Sequence, residues 1–390
     1  WAFRIYFALP FELFLRIIIT EFKTYLDLNE SWFLMPLSQI FINSTARSCK
    51  PKVLKSKKFY NQCKPHSDNQ DFQHWLNINY PEPVLKKRIC ISGSLLNPPT
   101  CSFIMPLYKP EVEYLIICIE SILEQSSDDW ELCIYADGVP NLNVLKLLEA
   151  YAFLDSRIKF KVGKVRGHIS KASNHAIKMT TGKYVALIDQ DDFIPPHALT
   201  QITNYFLENP NTDFLYTDEA KINDCGNLTL PFFKPDWSPD YLNSIMYVCH
   251  LLVFRKNFLQ RLGGFRVGFE GAQDWDLVLR ASEKTNQIGH ISDILYYWRI
   301  HPNSEAMEGG SSKTYARKNA RKALTESLER KNEPGIVRSA PRTGKDGFVI
   351  DYEVINPGKI SILIPFKDKP ELLDKCLESI SKSDLNLEFE

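Results

Sequence analysis

From residue 100 the chain alternates short apolar runs with stretches in which apolar residues recur at helical spacing, the pattern of strands joined by crossover helices. The alternation predicts strands over 102–105, 130–135, 158–162, 184–188 and 213–216. It predicts helices over 170–179 and 197–207, and one more carrying Val112, Leu115, Ile116, Ile119, Ile122 and Leu123 on a single face. Strand-helix-strand units wind right-handed, so the expectation is an α/β fold: an open, mostly parallel sheet flanked by helices, with ligands beyond the carboxyl ends of its strands.

The flanks read differently. Residues 1–20 are apolar, but Arg4, Glu12 and Arg16 interrupt every window, which argues against a membrane span. A buried helix or an interfacial amphipathic one, with Trp1, Phe3, Phe7, Phe11 and Phe14 on its apolar side, fits better, and the second reading brings peripheral membrane association through this segment. Residues 50–99 are polar and Pro-rich and read as a connector. Near the other end, Ser102-Phe-Ile-Met-Pro106 followed by Cys118-Ile-Glu-Ser-Ile122 is echoed by Ser361-Ile-Leu-Ile-Pro365 followed by Cys376-Leu-Glu-Ser-Ile380. A strand-helix opening is written twice. The expected organisation is therefore a helical and connecting region over 1–99, a main domain over 100–330, a linker over 331–358 and the incomplete start of a second, similar domain over 359–390. Trp1 in place of an initiating Met, and a chain that stops in Leu387-Glu-Phe-Glu390, suggest a piece of a longer polypeptide.

Composition narrows the function classes. Lys and Arg total 47 and so do Asp and Glu, a net charge of zero. That balance, with no basic stripe, excludes a partner held through many phosphate contacts, so no nucleic acid is expected. Nine scattered cysteines without a C-x-x-C pair argue against a disulfide framework or a thiolate zinc site and suggest a reducing compartment. There is no G-x-G-x-x-G, no P-loop around Gly182-Lys183 and no G-x-S-x-G.

The informative chemistry lies where an apolar strand, Val185-Ala-Leu-Ile, runs into Asp189-Gln190-Asp191-Asp192. Carboxylates at i and i+2 leaving a strand end can share a hard divalent cation and, through it, the phosphate oxygens of a nucleotide. The same residues are equally readable as an acidic turn or a helix cap. Asp137, in Tyr135-Ala-Asp-Gly138, ends the second strand, where a base or ribose could be read, or simply forms an Asp-Gly turn. Gly167-His-Ile-Ser-Lys171-Ala-Ser-Asn174 opens a helix in the manner of a phosphate-facing N-terminus, which makes Lys171 and Asn174 candidate donor contacts. Further on, Gln273-Asp274-Trp275-Asp276 begins a helix, and Tyr296-Tyr-Trp-Arg-Ile-His301 follows.

Taken in order, these motifs resemble family 2 glycosyltransferases with the GT-A fold, most of all the bacterial branch that builds O-antigen and other surface polysaccharides. The likeness runs from Phe103-Ile-Met-Pro-Leu-Tyr108 through Asp189-Gln-Asp-Asp192, Tyr216-Thr-Asp-Glu219, Phe233-Lys-Pro-Asp-Trp237 and Gly263-Gly-Phe-Arg266 to Tyr297-Trp-Arg299, and covers about residues 100–305. It implies a nucleoside contact at Asp137, a ribose or phosphate contact at Asp189, and a divalent metal (Mn²⁺ or Mg²⁺) at Asp191 with support from Asp189. It also implies a catalytic base at Asp274 and a third metal or diphosphate contact at His301. The activity implied is inverting, metal-dependent transfer of a sugar from a nucleotide-sugar donor to a saccharide or lipid-linked acceptor, in the cytoplasm at the inner face of the bacterial membrane. In the paired acid usual after the second strand, Ala136 stands where a carboxylate is expected. That departure is the one point for a rival reading, a degenerate domain serving as a binding scaffold of a polysaccharide assembly complex, and the presence of Asp191 and Asp274 argues against it. A nucleotidyltransferase shares the sheet and metal but needs a triphosphate-gripping Gly- and Arg-rich loop, which is missing.

Overall fold

The computed structural model describes residues 99–390 apart from 224, 225, 227, 301–313, 341–346, 354–357 and 384–387. The expectations for residues 1–98 and for His301 lie outside the described residues.

Strand β1 (Cys101–Leu107) opens the sheet, followed by α1 (Val112–Leu123), β2 (Trp130–Ala136), α2 (Leu142–Leu154), β3 (Ile158–Val162), α3 (His168–Ile177), β4 (Tyr184–Leu187) and α4 (Ala198–Glu208). Strands β2, β1 and β4 read as nearly unbroken apolar runs because both of their faces are covered. Alternate side chains divide between two cores. Phe103, Met105 and Leu107 pack under α1, α2 and α4, whereas Ile104 and Val185 pack on the opposite face with α3. Helix α2 is not among the elements read from the pattern, although its start is well marked: the Asn141 side chain accepts the Val144 N–H at 2.9 Å.

The second half is mixed. It comprises β5 (Phe214–Ile222), β6 (Leu228–Phe232), α5 (Pro239–Ser244), β7 (Leu252–Arg255), α6 (Lys256–Arg261), α7 (Gln273–Ser282) and β8 (Ile288–Arg299). The strand order is β3-β2-β1-β4-β7-β5-β6, with β8 along the other side of β5. Four of the seven ladders are parallel, as expected, but β7 inserts antiparallel between β4 and β5. This insertion, which the apolar pattern does not reveal, builds the site described below.

Beyond the sheet lie α8 (Thr314–Lys331), the hairpin β9 (Gly335–Ser339) and β10 (Phe348–Tyr352), and α9 (Pro370–Ser381). The hairpin corrects the expected linker over 331–358. Val337 and Phe348 are buried in the same core as α7 and α8, the Trp275 ring meets Phe348 edge-on, and Asn243 donates to the Tyr352 hydroxyl at 3.1 Å. The main unit therefore continues through residue 352 instead of stopping at 330. In the sequence repeat, 361–365 forms no ladder, only a bridge from Ile360 to Phe389, and α9 buries none of its residues. Among the described residues no helix is long and apolar enough to cross a membrane.

Candidate active site

The antiparallel pairing of β4 with β7 sets Leu187 opposite Leu252. Continued two residues outward, the same register puts Asp189, leaving β4, opposite His250, about to enter β7. Their side chains meet: His250 Nε2 lies 3.7 Å from Asp189 Oδ2. Asp192 completes the group, and one ligand atom from each of the three lies within 4.8 Å of the others. The backbone on the His250 side is firmly held. Its N–H donates to Glu219 Oε2 at 3.1 Å, and its carbonyl accepts from the fully buried ammonium of Lys234, which also binds Glu219 at 2.9 Å and the Val248 carbonyl at 2.8 Å. A buried ammonium is tolerable only with such a full set of acceptors.

Asp192 is an uncomfortable carboxylate. It is buried, receives the Tyr296 hydroxyl at 2.6 Å and the Arg299 N–H at 2.8 Å, and sits beside two more acids. Burial first, then Asp191 and Asp189, push its pKa well above the usual carboxylate range, and the two donors only partly offset this. Two carboxylate oxygens and an imidazole nitrogen form a mixed donor set able to hold a divalent metal ion, and a cation there would relieve the crowding of negative charge.

Asp189, His250 and Asp274 line one cleft, together with Pro106, Ser173 and Phe265. Asp274 stands in the first turn of α7, where unpaired backbone N–H groups favour a negative side chain. Its neighbour Asp276 serves differently. It is fully buried and ion-paired to Arg266 and Arg280, the latter at 2.9 Å, so it welds α7 to the preceding loop. Trp275, whose Nε1–H donates to the Leu242 carbonyl at 2.9 Å, anchors the same turn.

The remaining candidates separate. Asp137 is buried at the end of β2 and accepts the Gly167 N–H at 2.6 Å, joining β2 to the start of α3. Lys171 is exposed on α3. The Asn174 amide closes a two-way clamp on the Phe265 backbone, donating to the carbonyl at 2.7 Å and accepting the N–H at 2.9 Å, so both polar ends face the loop. Gly264 has φ +68°, and a Cβ there would lie 2.3 Å from Asn174 Oδ1, so the clamp requires glycine. Asp191 lies outside this cluster, which contains its neighbour Asp192. The turn after β4 directs Asp192 inward onto Tyr296, while the Asp191 carbonyl accepts Arg299 Nε at 2.8 Å.

Sequence reasoning missed His250, Asp192 as a cluster member, and Gln190, whose amide pairs with both backbone groups of Tyr108 at 2.8 and 3.1 Å. It missed as well the Arg166 guanidinium stacked 4.2 Å from the Tyr108 ring, beside the Asp137 turn. The sequence offered a cue only for Asp192, as the third acid of its run.

Comparison with known proteins gives the same outline. Residues 102–263 match the family described as Glycosyl transferase family 2. The O-antigen biosynthesis glycosyltransferase WbnJ of Escherichia coli is 30% identical over 210 residues, 52% of this chain and 80% of that protein. The O-antigen biosynthesis protein RfbC of Myxococcus xanthus is 35% identical over 311 residues, 80% of this chain but 24% of RfbC. Protein y4gI of Sinorhizobium fredii is 38% identical over 295 residues, 73% of this chain and 32% of that protein. The chain thus spans only a quarter to a third of the length of these last two relatives.

Proposed function

The chain belongs to glycosyl transferase family 2, and from that premise we propose that it is an inverting, divalent-metal-dependent enzyme. It moves a sugar from a nucleotide-sugar donor to a saccharide or lipid-linked acceptor during synthesis of a bacterial surface polysaccharide. The observation that carries the reading is the convergence of Asp189, His250 and Asp274 on one cleft beyond the strand ends.

In this reading Asp189, Asp192 and His250 would hold the cation. A bound Mn²⁺ or Mg²⁺ supplies neutralisation of the charge that grows on the departing diphosphate. The protein's own residues do the rest. Asp137 and the Tyr108–Arg166 stack border the nucleoside end, where an aromatic face and a guanidinium suit a base and its ribose. Asp274, in the first turn of α7, takes the proton from the acceptor hydroxyl as it attacks. A base on the side opposite the leaving group permits a single displacement, so the product has the inverted anomeric configuration. We place the reaction in the cytoplasm, with the five described free cysteines as support.

A thermal-shift panel of UDP, GDP, dTDP and CDP sugars with and without Mn²⁺ tests the reading. One nucleotide should raise the melting temperature only when Mn²⁺ is present. No stabilisation by any donor would favour the scaffold alternative. We also propose that residues 359–390 begin a second transferase-like domain, supported by the repeat and by the exposed apolar residues Leu372 and Leu377 on α9. A chain ending at residue 353 should then keep donor binding, and loss of binding would make the tail part of the first site.

A further inference from the structure

Tyr296 touches every member of the Asp189, Asp192 and His250 group. Its hydroxyl donates to Asp192 Oδ2 at 2.6 Å and accepts the Asp189 N–H at 3.3 Å. Its ring stacks on the His250 imidazole with centroids 4.6 Å apart and planes 17° from parallel. The residue is fully buried and sits in β8, a strand that is not adjacent to β4 or β7 in the sheet. The three groups reach it from three segments: the end of β4, the turn that follows, and the entry to β7. An isolated antiparallel bridge between Phe193 and Tyr297 fixes the approach, with N–H to carbonyl distances of 3.3 and 2.9 Å.

We propose that Tyr296 is the positioning residue of the cation site, aligning two carboxylates and an imidazole before a divalent ion arrives. The proposal rests on the reading of this cluster as a metal site. Each ligand has its own reason to stray. Asp192 is repelled by Asp189 and Asp191, and Asp189 is on a turn with its side chain 42% exposed. His250 has a ring free to rotate about its side-chain bonds unless a flat surface holds it. One tyrosine meets all three needs at once: its O–H orients the Asp192 oxygen, its lone pair fixes the Asp189 backbone, and its face sets the imidazole plane. Partners behind metal ligands that are arranged in this way typically change metal affinity by about 10- to 100-fold when removed.

Tyr296→Phe separates these roles, because it keeps the ring stack and the packing and removes only the hydroxyl. The measurement is Mn²⁺ binding by isothermal titration calorimetry, without nucleotide. The control is Tyr151→Phe. Tyr151 is likewise buried and likewise donates at 2.6 Å to a carboxylate, that of Glu120, but in the α1–α2 layer away from the cleft. The expectation is Mn²⁺ binding weakened about 10-fold or more in Tyr296→Phe and unchanged in Tyr151→Phe. At saturating Mn²⁺ the Tyr296→Phe enzyme should regain most of its kcat, which a merely unfolded fraction would not. If Tyr296→Phe does not fold, 3-fluorotyrosine at position 296 keeps the hydroxyl but alters its donor strength, and should shift Mn²⁺ affinity with the fold intact. Wild-type affinity in the variant that folds would overturn the role of Tyr296 while leaving the metal site standing. Equal loss in both Phe variants would reduce it to general packing, and failure of the wild type to bind Mn²⁺ would overturn the proposal together with the metal reading.

Discussion

Glu131 and Asp192 are both buried carboxylates, at opposite ends of the parallel part of the sheet, and their surroundings are opposite in kind. Glu131, at the start of β2, is fully provided for. It accepts Ser102 Oγ at 2.6 Å, Thr181 Oγ1 at 2.9 Å and the Gly182 N–H at 3.2 Å, and pairs with Lys159 at 2.5 Å. Burial works to raise its pKa, but Lys159, Ser102 and Thr181 outweigh burial and hold it below the ordinary value. Asp192 has two donors against two acidic neighbours, and its pKa goes up. The chain finishes one end of its sheet with its own donors. At the other end three acids crowd together, and under the proposed function a cation would complete them.

Glu120 shows that burial alone does not define such a site. Desolvation first, opposed by the Tyr151 hydroxyl, raises its pKa to about 7, yet it is tied into the α1–α2 layer by Tyr151 and does not line the cleft of Asp189 and His250. What distinguishes Asp192 is that its acidic neighbour Asp189 and the His250 imidazole face a common opening.

The largest expected effect belongs to the open end. Asp274→Asn keeps shape and removes basicity, so kcat should fall by about 10²-fold or more with donor affinity little changed. Near-normal turnover, or product that retains the donor's anomeric configuration, would remove Asp274 from the role of base.

At the closed end the consequence is for stability. Glu131→Ala strands Ser102, Thr181 and Gly182 donors in the interior and should cost about 3 kcal/mol in chemical denaturation, with unchanged kcat for the folded enzyme. The sign with pH follows from the lowered pKa. Glu131 contributes fully above its unfolded pKa of about 4.3 and loses that contribution as pH falls through the lower folded value. The gap between wild type and variant should therefore close in acid. A gap independent of pH would show that packing, and not the charge, is what Glu131 supplies.

The smallest effect is at Glu120. With a folded pKa of about 7 against an ordinary 4.5, the folded state holds a proton that the unfolded state releases, so stability declines as pH rises between those values. Glu120→Gln carries no such proton and should melt about 3 °C higher than wild type at pH 8, with no difference at pH 4. An equal difference at both pH values would contradict the desolvated-carboxylate account.

How much of this was legible depended on whether a feature is local. The parallel strands and α1, α3 and α4 were readable because a doubly covered strand and an amphipathic helix each leave their own period in the sequence. The positions of Asp189 and Asp274 were readable because strand ends and helix starts put acids in predictable places, while their roles rest on the proposal. His250 was not, since its place beside Asp189 depends on β7 inserting antiparallel beside β4, a long-range pairing with no local mark. The same holds for Tyr296, one of three consecutive aromatic residues in β8, and for the hairpin over 335–352, whose core contribution rests on little more than Val337 and Phe348. The Asn174 clamp left no mark either, because a helix-opening asparagine suits a phosphate contact as well as it suits a clamp on a loop 91 residues away.

The central claim is that the acid-rich end of the sheet binds a nucleoside diphosphate only together with a divalent cation. Equilibrium binding of the nucleotide selected by the thermal-shift panel decides it, measured with and without Mn²⁺ on the wild type, Asp189→Asn and Glu131→Gln. The account predicts Mn²⁺-dependent binding in the wild type and in Glu131→Gln, and about 10-fold or greater loss in Asp189→Asn. Binding that is as tight without Mn²⁺, or that survives intact in Asp189→Asn, would contradict it.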